Sequence, residues 1–101
     1  MANIILFVRN FQKGTQLSDR LSSINLNVSF GESIYDLPDK CSLAIIDLDD
    51  KKFNNLDFIS ELKTKAKIKL ICYKNLIKKE SHNEMKNAGC DIIVTNASIV
   101  M

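Results

Sequence analysis

The stretch Ser42-Leu43-Ala44-Ile45-Ile46-Asp47-Leu48 ends an apolar run in a carboxylate, the pattern that sets an acid at the carboxyl end of a buried strand. Open α/β sheets bind ligands in that crevice, where strand order reverses. Asp47 is therefore the first candidate for chemistry, as a metal ligand or an acceptor of a transferred group. Arg9 and Asn10 close another apolar run, Asn3 to Val8, and belong at the same lip. An aspartate beside a guanidinium also has a structural reading, a partly buried carboxylate neutralised in place, with Arg9 reaching Asp47 and filling the space of a metal.

The other reactive residue types give less. Cys72 lies between Lys69 and Lys74, so it is either a thiolate favoured by those cations or a small buried apolar side chain. The single histidine, His82, has no assignable acid-base partner, and no Ser-His-Asp or Cys-His set can be assembled around it. Three dispersed cysteines, Cys41, Cys72 and Cys90, without a C-x-x-C pair, argue against a disulfide framework and against zinc. The turn after the first strand holds one glycine, Gly14, which excludes a glycine-rich phosphate loop. No catalytic residue, cofactor or metal site is assigned from these patterns.

These residues need elements to hold them. Continuous apolar runs of strand length, at Asn3–Val8, Leu43–Leu48, Ile68–Tyr73 and Asp91–Val94, fit buried parallel strands, while Leu26–Phe30 alternates like an edge strand. Leu17, Leu21 and Ile24 mark an amphipathic helix over about residues 13 to 23. Residues 32 to 40 contain the only proline, Pro38, and have room for one or two helical turns. Asn54 is read as the cap of a helix carrying Leu56, Ile59 and Leu62, and Ser81-x-x-Glu84 as a capping box opening a helix that Gly89 ends. Strands alternating with helices predict a single doubly wound α/β domain over 1–101, with a five-stranded parallel sheet.

At 101 residues, nearly half apolar and about a quarter charged, with a net charge of +2, the chain has the composition of an ordinary globular domain. It lacks a membrane-spanning run and an opening secretory signal, so a cytoplasmic location without membrane insertion is expected. Charge is unevenly spread: residues 32 to 61 hold eight acids and three lysines, and 62 to 79 hold seven lysines and no acid. With few aromatics interleaved and no recognition motif, the lysine segment is read as a solvated face or a partner surface, and not as a specific nucleic-acid site.

From Asp47 through Leu48-Asp49-Asp50-Lys51-Lys52-Phe53-Asn54-Asn55-Leu56-Asp57-Phe58, and again at Ala88-Gly89-Cys90-Asp91 before an apolar strand, the chain resembles response-regulator receiver domains of the flavodoxin-like class. The resemblance implies a parallel sheet of order 2-1-3-4-5 and that Asp47 matches the phosphoacceptor. It also shows departures. The family's metal-binding acidic pair falls on Arg9-Asn10, its Ser or Thr on Cys72 or Tyr73, its lysine on Asn96 and its switch aromatic on Ile93. Phosphoryl transfer leans on a metal and fixed cations. The resemblance thus points to a degenerate receiver working without phosphorylation, in which Asn10, Asp49 and Asp50 could rebuild a poor cation site.

The second helix is expected to be shortened and the fifth missing, leaving a sheet face partly bare. Ile99, Val100 and Met101 are candidates to cover that face or join a contact on it. The expected role is a protein-interaction module binding a protein partner or itself. The alternatives are a residual receiver phosphorylated on Asp47, or a small flavodoxin-like enzyme or redox protein using Cys72.

Overall fold

A computed structural model describes residues 3–75, 78–96 and 98–99. Its elements in chain order are β1 (Asn3–Phe7), α1 (Phe11–Ser22), β2 (Asn27–Phe30), a single 3-10 turn (Ile34–Asp36), β3 (Cys41–Asp47), α2 (Leu56–Glu61) running into a π-helical turn (Leu62–Ala66), β4 (Lys69–Lys74), α3 (Lys79–Ala88) and β5 (Ile92–Thr95). The strands form one sheet of order β2-β1-β3-β4-β5, parallel at every pairing.

The apolar runs make this sheet because successive side chains enter opposite cores. Ile5, Phe7, Ala44, Ile46, Leu70 and Cys72 point to the side covered by α2 and α3, where they meet Ile59, Leu62 and Met85. On that side Phe7, Phe53 and Phe58 form an aromatic cluster with centroids 5.1 to 5.7 Å apart. Ile4, Leu6, Val8, Ile45 and Tyr73 point the other way, toward Leu17 of α1.

Several boundaries differ from the sequence reading, each for a local reason. Helix α1 starts at Phe11 because Asn10 Oδ1 accepts the Lys13 N–H at 3.0 Å, capping the helix two residues earlier than its apolar spacing suggests. The cap of α2 is Asn55 and not Asn54: Asn55 Oδ1 takes the N–H groups of Asp57 and Phe58. The capping box expected at Ser81 is not formed. Helix α3 begins at Lys79, so Ser81 already lies inside it and its hydroxyl cannot act at the end, where Lys78 offers no side-chain cap.

Gly89 does end α3, at φ 139°, a conformation that side chains rarely adopt. A capping box is present at the 3-10 turn, between Ser33 and Asp36, which is all the helix that residues 32 to 40 hold. No helix follows β5 among the described residues, and none there is long and apolar enough to cross a membrane.

Candidate functional site

The parallel register carries Asp47, the last residue of β3, level with Tyr73 of β4 and, beyond it, Val94 of β5. The side chains of Arg9, Asn10, Asp47, Asp49 and Asp50 line an open hollow at this carboxyl edge. Asp47 is only 7% exposed, and its Oδ1 accepts the Asp49 N–H at 2.9 Å. Burial pushes the Asp47 carboxyl above its ordinary value. The Asp49 N–H works against that rise, and the charges of Asp49 and Asp50 add to it.

Arg9 does not reach Asp47. Its guanidinium grips Asp50, with Nε at 2.7 Å from Oδ2 and Nη2 at 2.9 Å from Oδ1. The physical reason is solvation: the Arg9 side chain is half exposed, and pairing at the outer turn keeps the guanidinium hydrated where Asp47 would bury it. The hydrogen bond from Arg9 holds the Asp50 carboxyl below its usual range. Among the described residues Asp47 forms no ion pair.

The remaining carboxylate of the hollow is turned elsewhere. Asp49 accepts the Asn75 N–H through both oxygens, at 2.9 and 3.1 Å, and ties the β3 edge to the end of β4. Asn10 is occupied as the α1 cap. Among the described residues no three carboxylate, imidazole or thiol groups converge as a metal cluster.

Tyr73 stands beside Asp47 on the α1 side of the sheet, 1% exposed. Its phenol faces the carboxyl without reaching hydrogen-bond geometry, and Oη is the one buried side-chain polar atom without a partner among the described residues. Burial, and then the charge of Asp47, push the phenol well above its ordinary value, so it stays protonated. Lys13 of α1 arches over this ring, its Nζ 5.6 Å from the centroid, and donates to the Asn96 carbonyl at 3.0 Å. Sequence reasoning missed Lys13. The signal was its place one turn before Leu17, on the helix side that faces the sheet.

Cys72 is not at the lip. It points into the opposite core beside Cys90 and is fully buried. The neighbouring Cys90 thiol and burial push its pKa far up, so Lys69 and Lys74 do not make it a thiolate. Asn96 follows β5, its N–H donating to the Lys74 carbonyl. Ile99 folds back, its N–H on the Thr95 carbonyl at 3.3 Å, and packs partly buried against the α1-side core. Val100 and Met101 lie outside the described residues.

Two lysines of the lysine-rich segment are engaged. Lys63 bonds Asp91 at 2.7 Å and the Ile68 carbonyl at 3.2 Å, and Lys65 pairs with Glu61 one turn back. Burial opposes ionisation of Asp91, but Lys63 and the Leu70 N–H outweigh it and hold the carboxyl below its ordinary value.

Solved structures similar in fold include response regulators and receiver domains. A two-component response regulator from Clostridium difficile superposes with a TM-score of 0.84 at 9% identity, covering 95% of this chain and 84% of that one. The fold is that of a response-regulator receiver domain. An orphan response regulator of H. pylori matches with a TM-score of 0.80 at 20% identity over 98% of this chain and 87% of its own. The phosphorylated cyanobacterial phytochrome response regulator RcpA gives 0.79 at 13%, over 98% and 83%. No protein-family model and no curated protein sequence matches the chain. The likeness is therefore one of backbone.

Proposed function

We propose that this chain is a receiver-like protein-interaction module of a regulatory or signalling system, working without phosphorylation of Asp47 and without enzymatic activity. The observation that carries the reading is the commitment of the crevice to internal contacts. Asp50 is held by Arg9, Asp49 by Asn75, and Asn10 by the start of α1, while Asp47 is walled by Tyr73. A phosphoryl group arriving at Asp47 needs a divalent cation and a fixed positive charge on its oxygens. Here the outer carboxylates that would share a cation are already bonded, and Lys13 is spent on Asn96 and the Tyr73 ring. The receiver backbone supports the signalling context, since the similar structures are response regulators.

One observation favours a second reading, a residual receiver phosphorylated on Asp47. That carboxylate is buried without a cationic partner, a costly arrangement of the kind found at functional sites. The two readings part under a small-molecule phosphodonor with magnesium, followed by intact mass. The interaction module stays at its unmodified mass. A phosphoryl adduct that disappears in Asp47→Ala establishes the residual receiver instead.

A further inference from the structure

The bonds that tie the crevice together leave two oxygens at its floor unserved. Asp47 is 7% exposed, and with Oδ1 taken by the Asp49 N–H, Oδ2 is the oxygen open to an entrant from the hollow. Tyr73, 1% exposed, turns a hydroxyl without a partner toward the same carboxyl. A buried carboxylate is ordinarily paired with a cation, because its desolvation is otherwise not repaid.

No described side chain supplies that cation. Arg9, the one cationic residue lining the hollow among the described residues, is held on Asp50, and Lys13 is held on the Asn96 carbonyl. Neither Asp47 nor Asp49 forms an ion pair among the described residues. Residues 1–2, 76–77, 97 and 100–101 include no lysine, arginine or histidine, so none of their side chains carries the missing charge. Two carboxylates thus stand uncompensated in an open hollow of about 440 Å³. The charges of Asp49 and Asp50 both act against ionisation of Asp47, so the field at the floor is negative.

We propose that this hollow receives a lysine side chain of a partner protein, whose ammonium pairs with Asp47 Oδ2 and brings a second donor to Tyr73 Oη. The proposal rests on the interaction-module reading and names the partner's contact. An ammonium carries three donors on a slim stem, so one group serves both oxygens. A guanidinium fits less well, because its fork takes both oxygens of a carboxylate and Oδ1 is already occupied. A divalent cation needs several carboxylate oxygens at once, whereas Asp50 is gripped by Arg9 and both oxygens of Asp49 accept the Asn75 N–H. A free polyamine fits less well too, since its further charges meet Arg9 at the wall of the hollow.

The test is an amide NMR titration of the full chain with five probes: the blocked peptide Gly-Ser-Lys-Ser-Gly, the same peptide with arginine or with norleucine in place of lysine, magnesium chloride, and spermidine. The lysine peptide is expected to shift the amides of Asp47, Asp49, Tyr73 and Asn75 saturably and to bind about threefold more tightly than the arginine peptide, with no saturable shift from norleucine. Asp47→Asn keeps the shape of the side chain and removes its charge, and is expected to weaken the lysine peptide about tenfold, while Tyr73→Phe weakens it about threefold. An arginine or norleucine peptide that binds as well as the lysine one, an affinity unaltered in Asp47→Asn or in Tyr73→Phe, no saturable shift at all, or tighter binding of magnesium or spermidine each overturn the proposal. These outcomes are separable from the phosphodonor experiment. An adduct on Asp47 removes the functional reading and leaves the order of the peptides to stand, whereas loss of that order with the mass unmodified removes the lysine contact and leaves the functional reading.

Discussion

At the scale of single residues, the crevice turns on which cation serves which carboxylate. Asp47 is buried with its pKa raised, so ionising it opposes folding. Because the folded value lies above the unfolded one, the penalty is full at neutral pH. It fades as pH falls through the folded value toward the ordinary 3.8. Asp47→Asn is therefore expected to stabilise the chain by about 1 kcal/mol at neutral pH, with the gain vanishing in acid, as read by urea unfolding at a series of pH values. A loss of stability on this substitution contradicts the assignment of Asp47 as an unpaired carboxylate.

Tyr73 gives a second check. Its hydroxyl is buried without a partner, so Tyr73→Phe is expected to be neutral or to stabilise by up to about 1 kcal/mol, and a cost of that size means that a hydrogen bond to Asp47 exists in solution. Much of this was hidden in the sequence. The apolar run before Asp47 made its place at the strand end legible, but Arg9 has two acids within reach, Asp47 and Asp50, and spacing says nothing about which of them keeps the guanidinium in water. Cys72 and Tyr73 were equally ambiguous until the pleat sent one to each face.

At the scale of elements, turns and caps decide boundaries that apolar spacing leaves open. The strand positions followed from the continuous apolar runs and the sheet order from the receiver resemblance, whereas the caps did not. Asn54 and Asn55 are adjacent and chemically identical, and only the backbone conformation at Asn55 selects it. The π-helical turn after α2 ends at Lys67, a lysine held at φ 55°, where glycine is favoured. Lys67→Gly is expected to raise stability by about 0.5–1 kcal/mol, seen as a higher urea midpoint at unchanged slope. Gly89→Ala should act in the opposite sense, by about 1–3 kcal/mol, because of the positive φ and because the new Cβ would lie 2.7 Å from Lys63 Cβ. Lys63 also holds Asp91, so this junction joins α3, β4 and β5. Asp91's folded pKa is depressed, so its contribution is present above the ordinary carboxyl value and is lost as pH falls through the folded one.

For the whole molecule, the backbone is what the similar structures share. The sheet and its order match structures at 9 to 20% identity. Such a fold is fixed by patterns of apolar residues that many sequences satisfy, which is why it was legible from strand runs and turn residues alone. The crevice depends on individual side chains, and here they bond one another. Among the described residues no helix follows β5, and Ile99 packs partly buried against the core on the α1 side of the sheet. The place of Lys13 over the Tyr73 ring was not foreseen, because the two meet only when α1 lies along the sheet.

The central claim is that the Asp47 crevice has no phosphorylation step to transmit. Amide spectra of the full chain, recorded before and after adding magnesium and a small phosphodonor, test it most directly, because they read the crevice and the sheet together. The account predicts that the amides of Asp47 to Asp50, Tyr73 to Asn75 and Ile92 to Asn96 keep their positions. A second set of peaks at these residues, growing with phosphodonor and absent in Asp47→Ala, would contradict it.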